Sequence, residues 1–441
     1  MRSPSEASTA LLTDHYELTM LRAALRSGAA YRQTVFEVFC RRLPEGRRYG
    51  VVAGTGRLLS AIECFRFGDA ELSDLRERRV VDDATLDFLA GYRFSGDIRG
   101  YGEGEVYLPG SPLLVVQSTF GEAVLLETLV LSILNHDSAI AAAASRMRIA
   151  AGDRALIEMG SRRTHEDAAV AAARAAYIAG FSTTSNLEAG RRYGIPTTGT
   201  SAHAFTLVHD DELSAFEAQV AALGPNTTLL VDTHDVDEGV AHALHAGGPD
   251  LGAVRLDSGD LVEQARRVRR QLDGLGARST RIVVTSDLDE YAIGALASAP
   301  VDAYGVGTSL VTGSGAPTAA LVYKLTARAL SAHPSAHLEP VAKTSVGKPS
   351  RGGVKWGYRR LDAHGVATEE AVLVGDQPWS DRPGLRPLMH SLVSEGEAVG
   401  HEPVDRARER HAAAVAELPE SAHRLSRGDV AIPTVFHTLE P

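Results

Sequence analysis

Cysteine is nearly absent from this chain: 441 residues contain two, Cys40 and Cys64. Two cysteines build no disulfide framework, and neither stands in the His/Cys spacing that zinc requires. A reducing, cytoplasmic setting is expected. There is no long apolar run. The nearest, residues 124–144, is broken by Glu127, Asn135, His136 and Asp137 and reads as a buried helix rather than a membrane span. The first twenty residues, MRSPSEASTALLTDHYELTM, carry no signal-peptide core, so a secreted product is not expected. A basic excess is missing too. The formal net charge is −11, which gives no general attraction to nucleic acid or to anionic membrane, although a local basic cluster can still take a small anion. No Gly-x-Gly-x-x-Gly follows a strand to suggest a dinucleotide, and GSGAP at 313–317 lacks the Lys-Ser/Thr of a P-loop.

What is present is the composition of a globular protein: 44% hydrophobic, 23% charged, 42 glycines, and a length that suits two or three domains. Residues 11–28 space Leu18, Leu21, Ala24 and Leu25 as a helix that ends near Gly28, with Thr13 or Asp14 as cap and Glu17 in the first turn. That reading leaves Tyr16 unexplained. Residues 34–42 alternate as a strand. The basic turn LPEGRRYG then leads to a helix over 55–65, and it suits either a phosphate or plain solvation. EVYLPGSPLLVVQ reads as two strands about a Pro-Gly turn, and 120–151 as one continuous helical stretch.

Beyond residue 151 strand-like and helical runs alternate, from ALIEMGSR through PTTGTSAH, TTLLVDTHD, LGAVRLDSGD and TRIVVTSDLDE to DAYGVGTSLVTG. Such βα repetition predicts an α/β fold with a parallel sheet, closed or nearly closed into a barrel. Polar residues gather where each predicted strand ends. They are Arg162 and Arg163, His203, Asp232 with His234 and Asp235, then Arg255, Asp257, Ser258 and Asp260. Ser286, Asp287 and Asp289 follow, and last Gly305, Gly307 and Thr308. In a barrel these ends open on one face, where active sites sit. Helix capping explains Asp260 or Asp289 but not the arginines or His203.

Arg162 and Arg255 favour a carboxylate or phosphate ligand through planar pairing. Gly305 and Gly307 let backbone N–H groups approach a phosphate. Asp257 and Asp260 suit a hydrated Mg²⁺ shared with a diphosphate. Residues 321–360 are locally basic, with Lys324, Lys343, Lys348, Arg351 and Lys355 among Gly, Ser and Pro. Polyphosphate binding and a solvated surface loop stand level there. The tail from Leu361 reads as helical and polar, with one short strand near VAIPTVF.

Taken together, LLTDHYELTM, FEVFCRRLPEGRRYGVVAGTG, EMGSRRTHEDAA, GTSAHAF, LLVDTHD, RLDSGDL, SDLDE and YGVGTSLVTGSGAP make the chain resemble the nicotinate phosphoribosyltransferases, closest to an actinobacterial branch. GTSAHAF and RLDSGDL are the most specific of these. The resemblance implies an irregular barrel of the type II phosphoribosyltransferase kind with an N-terminal α+β domain. Its divisions would fall at 1–118, at 119–345 for the barrel, and at 346–441 for a segment packing back on the first.

The reaction implied joins nicotinate to 5-phosphoribosyl 1-pyrophosphate in NAD biosynthesis, with Mg²⁺, and couples it to ATP hydrolysis through a phosphohistidine matched by His203. Imidazole is a competent nucleophile for that step, and Asp232 is the carboxylate expected to orient it. By the same resemblance Arg255 holds the nicotinate carboxylate with Arg162 nearby, and Asp257 lies by the ring and ribose. Tyr16 stacks on the ring from a neighbouring subunit, which makes a homodimer. Ser286, Asp287, Gly305 and Gly307 line the ribose-phosphate site, and Lys324, Lys343 and Lys355 face the diphosphates. Thr184 and Ser185 replace an Asp that reads the amide in nicotinamide-using relatives. Met159, Ser286 and His234 depart from the usual aromatic, Gly and Tyr.

The same reaction on nicotinamide or quinolinate is the nearer alternative. A catalytically reduced nucleotide-binding homologue is a second, and an unrelated barrel isomerase or aldolase a third. The presence of His203, Asp232, Arg255 and Asp257, and the lack of a strand-end lysine, weigh against these.

Overall fold

The computed structural model describes residues 7–333, 336–343, 350–380 and 382–438. Lys348 and part of the basic loop lie outside them. The chain forms two compact units, residues 1–139 with 318–441 and residues 140–317. The first therefore takes in the helical stretch from Phe120 to Ala139, and the strand Leu321–Ala329, which pairs antiparallel with Gln33–Cys40. The expected division at 118/119 thus falls instead inside the helix Glu127–Ala151.

In the first unit a seven-stranded sheet has Gln33–Cys40 near its middle, between Leu321–Ala329 and Leu114–Thr119. This strand is buried on both faces. Phe36, Val38 and Cys40 enter the main core, where Phe36 stacks on Tyr323 with centroids 4.8 Å apart. Val35 belongs to a smaller cluster with Val115, Ala327 and Val354. The helix His15–Ser27 is capped by the Asp14 side chain and stopped at Gly28, whose φ of 77° is a left-handed conformation that glycine takes without strain. Its buried Glu17 accepts from the Thr128 backbone N–H at 2.9 Å and from the Thr13 and Thr128 hydroxyls, which ties the helix to the start of Glu127–Ala151.

Two expectations are corrected here. The segment 120–151 is two helices, Phe120–Val124 and Glu127–Ala151. The two strands expected about the Pro-Gly turn are present, Val106–Tyr107 pairing with Gly50–Val51 and Leu114–Thr119 lying in the large sheet. The tail is largely β. Lys355–Leu361, Ala367–Val374, Leu385–Pro387 and Thr434–Thr438 make a four-stranded sheet, and Met389–Ser394 joins the large one. KWGYRRL carries aromatic residues and ATEEAVLV β-branched ones, which favour strands despite the charges between them. The helix Val404–Ala416 lies in sequence between Met389–Ser394 and Thr434–Thr438.

The second unit holds a six-stranded, wholly parallel sheet. Its order runs Thr183–Thr184, Ala155–Glu158, Ala303–Val306, Arg281–Val284, Ala253–Leu256, Thr228–Leu230. The first and last long strands of the repeat pair with each other, as a barrel demands. The opening lies where PTTGTSAH was expected to supply a strand. That segment makes a single bridge, Thr197 to Thr184, and runs irregularly into the short helix His203–Leu207. Gly194, Pro196 and Gly199 leave it without the apolar, β-branched run that a buried parallel strand needs. The result is an open, irregular barrel. Asp211, Asp235, Asp260 and Asp289 each cap the helix that follows. Among the described residues no helix is long and apolar enough to cross a membrane.

Candidate active site

The C-terminal strand ends of the second unit surround a cavity of about 250 Å³. Of the residues expected at the strand ends, it brings together Arg162, Arg163, Arg255, Asp257, Ser286, Asp287, Gly305, Gly307 and Thr308, with Met159 beside them, and it adds Thr285. Arg162 and Arg163 are exposed, whereas Arg255 is only 9% exposed and sits deep on its strand.

Arg255 is already heavily engaged. Nε donates to the Thr285 hydroxyl at 2.8 Å, Nη1 to the Thr200 hydroxyl at 2.8 Å and the Ser201 carbonyl at 3.2 Å, and Nη2 to Asp257 Oδ1 at 3.0 Å. Of five guanidinium N–H groups, four are spent and one on Nη2 remains. Asp257 Oδ1 also accepts from the Thr285 hydroxyl, and its Oδ2 lies 3.9 Å from His203 Nε2. Burial works against ionisation of Asp257. Hydrogen bonds from Thr285 and Arg255, with the charges of Arg255 and His203, outweigh it and hold the carboxyl below its ordinary value.

His203 stands at the first turn of its helix with its side chain 42% exposed, open to a ligand. Its Nδ1 is 3.1 Å from the Thr233 hydroxyl. The carboxylate beside the imidazole is therefore Asp257. The expectation that Asp232 orients His203 is corrected: Asp232 Oδ2 accepts from the Asp257 backbone N–H and the Ser258 hydroxyl, both at 2.8 Å, and braces that loop. Asp260 is also corrected. Its side chain accepts from Glu263 N–H as an N-cap. Among the described residues no group of three or more His, Cys, Asp and Glu is placed to hold a metal ion, so a resident metal held by protein alone does not fit. Asp257 Oδ2 and the exposed Asp287 are the carboxylate groups that face the cavity region.

Thr184 does not line the cavity. It is buried, and its hydroxyl donates to Glu158. Ser185 is exposed and gives its backbone N–H to the Glu158 carbonyl at 2.8 Å. Burial raises the Glu158 carboxyl above its usual range despite its bonds to Thr184 and Gly160. The hydroxyls of Thr200, Thr233 and Thr285 and the Glu158 carboxyl escaped the sequence reading. Threonine at a strand end reads as a β-former, so no signal separated them.

The remaining expected residues belong to the first unit. Tyr16 is 43% exposed, and burial of its hydroxyl, then Glu127, push its pKa upward. Glu127 also lies 3.6 Å from Lys324 Nζ, so Tyr16 and Lys324 meet about one carboxylate. Lys355 is fully buried against Glu37, with Nζ also on the Arg351 carbonyl at 2.7 Å. Both border a larger cavity of about 990 Å³ lined by Arg41, Arg42 and Arg351. Lys343 is exposed.

A parallel βα sheet with arginines, glycines and an accessible histidine at its C-terminal ends defines the class: a barrel-type enzyme for anionic substrates. Comparison with known proteins narrows it. A family model described as the nicotinate phosphoribosyltransferase N-terminal domain matches residues 11–135. Nicotinate phosphoribosyltransferase pncB1 of Mycobacterium tuberculosis is 57% identical over 432 residues, 96% of this chain and 94% of that protein. The Bacillus subtilis nicotinate phosphoribosyltransferase is 38% identical over 73% of this chain and 67% of its own length. The crystal structure of human nicotinic acid phosphoribosyltransferase superposes with a TM-score of 0.80 at 24% identity, covering 96% of this chain and 97% of that one. The chain belongs to the nicotinate phosphoribosyltransferase family and is an enzyme of that kind.

Proposed function

We propose that this enzyme condenses nicotinate with 5-phosphoribosyl 1-pyrophosphate in NAD biosynthesis, releasing nicotinate mononucleotide and pyrophosphate, and couples the reaction to ATP through phosphorylated His203. The observation that carries the substrate reading is the Arg255 guanidinium at the cavity, buried and with one N–H to spare. A planar cation at that depth suits a ring carboxylate better than a neutral amide. Arg162 and Arg163 add positive charge at the mouth. In the transfer the nicotinate ring nitrogen attacks C1 of the ribose, and the bond from C1 to the diphosphate oxygen breaks. Mg²⁺ arrives with the diphosphate as part of the substrate, and Asp257 Oδ2 and Asp287 are the carboxylate groups it would meet.

Thr233 supports the role of His203. With Nδ1–H donating to that hydroxyl, the lone pair lies on Nε2, the nitrogen free to take the γ-phosphoryl group of ATP. The 990 Å³ cavity with Arg41, Arg42, Arg351 and Lys355 suits a polyphosphate. Tyr16 is exposed enough to stack on a ring in a homodimer with shared sites. The test is substrate choice. Purified protein given phosphoribosyl pyrophosphate, Mg²⁺ and ATP should convert nicotinate and leave nicotinamide nearly untouched. Equal or faster use of nicotinamide would sink the reading.

A further inference from the structure

We propose that Thr285 is the positioning residue that locks Arg255 and Asp257 into one rigid unit, and so sets the affinity for the ring carboxylate. The inference deepens the substrate reading and rests on it. Thr285 is buried at the end of the strand Arg281–Val284, between the two charged groups. Its single hydroxyl does two things at once. It accepts from Arg255 Nε at 2.8 Å and donates its one proton to Asp257 Oδ1. Without it, Arg255 would meet Asp257 through Nη2 alone; Thr200 and Ser201 would still hold Nη1, but Arg255 Nε would lose its partner and Asp257 Oδ1 one of its two donors. With it, the guanidinium edge and the carboxylate are held at two points.

The hydroxyl is not needed to hold the strand. The Thr285 backbone N–H already bonds the Leu256 carbonyl at 2.9 Å, and the hydroxyl is 3.4 Å from that same oxygen. The methyl group fixes the rotamer. A Cβ built on Gly305 would stand 2.5 Å from Thr285 Cγ2 and 2.7 Å from Met159 Sδ, so Gly305 is the space into which the methyl fits. Threonine satisfies both demands: valine lacks the hydroxyl and serine lacks the methyl.

The experiment compares Thr285→Val, Thr285→Ser, Gly305→Ala, Arg255→Ala and Asp257→Asn with the parent enzyme. KM and kcat for nicotinate, KM for phosphoribosyl pyrophosphate and the melting temperature are measured. Thr285→Val keeps the volume, and its KM for nicotinate should rise about 10- to 100-fold, the scale of a lost hydrogen bond to a charged group. The KM for phosphoribosyl pyrophosphate, which meets Asp257 only through Mg²⁺, should rise several-fold less than that for nicotinate. Thr285→Ser should return most of the loss, and Gly305→Ala, by pushing the methyl aside, should reproduce it with Thr285 intact. If Thr285→Val does not fold, the serine and Gly305 variants carry the test.

A parent-like KM in Thr285→Val, or a serine variant as poor as the valine one, overturns the positioning role while Arg255→Ala still shows the defect. If Arg255→Ala and Asp257→Asn also bind nicotinate normally, the substrate reading beneath it fails instead.

Discussion

Replacing Lys355 by methionine should destabilise the protein in a way that depends on pH. Lys355 and Glu37 are 1% and 3% exposed. Burial raises the Glu37 pKa and Lys355 pulls it back. Without the ammonium only burial remains, and the cheapest response is for Glu37 to take a proton. The ordinary value is 4.5. Protonation at pH 7 then costs about 3 kcal/mol, from about 1.4 kcal/mol per pH unit. That agrees with the ~3–5 kcal/mol typical of breaking a buried pair. The sign follows. A carboxyl whose folded pKa is raised contributes its stability below pH 4.5 and loses it as the pH rises through the folded value. The deficit of Lys355→Met should therefore deepen from pH 5 to pH 7.

The paired variant Glu37→Gln/Lys355→Met carries no buried charge and should recover to within about 1 kcal/mol of the parent. Urea unfolding across that pH range is the assay. A Lys355→Met protein as stable as the parent at pH 7, or a deficit flat with pH, would refute the buried pair.

His411 is fully buried on the helix Val404–Ala416, and burial lowers its pKa to about 4. Stability should fall as pH drops from 6.5 to 4, by about 3 kcal/mol in all, and His411→Leu should flatten that slope in the same urea titration. Ser286 holds φ at 131° at the cavity edge, so Ser286→Gly should raise stability by about 1 kcal/mol; a lower melting temperature would show the serine contributes more than strain. Arg255→Lys keeps the charge but not the fork that reaches Thr285, Thr200 and Asp257, and its KM for nicotinate should rise about tenfold or more.

Much of the second unit was legible because its strands are continuous apolar runs with polar ends. Arg255 and Asp257 fall where RLDSGDL places them, two residues apart around a strand end. The same regularity misled at Asp260 as a Mg²⁺ ligand, where capping rather than chemistry accounts for the carboxylate, whereas the cap at Asp289 was legible. PTTGTSAH misled in the other direction, since its position in the repeat suggested a strand that its glycines and proline do not allow. The Arg255–Thr285–Asp257 cluster joins two strand ends 30 residues apart in sequence. No local pattern encodes such a contact. The same holds for Glu37 with Lys355, where a strand that alternates like a half-exposed one is covered on its Val35 and Glu37 face by chain from 318 residues away.

His203 is the proposed phosphoryl carrier, its Nε2 standing 3.9 Å from Asp257 Oδ2. Protein incubated with γ-labelled ATP and Mg²⁺, then freed of nucleotide, measures this directly. An acid-labile label should appear on the parent, be absent from His203→Ala, and discharge when nicotinate and phosphoribosyl pyrophosphate are added. A His203→Ala protein that still takes up the label, or a label on the parent that the two substrates do not discharge, would contradict it.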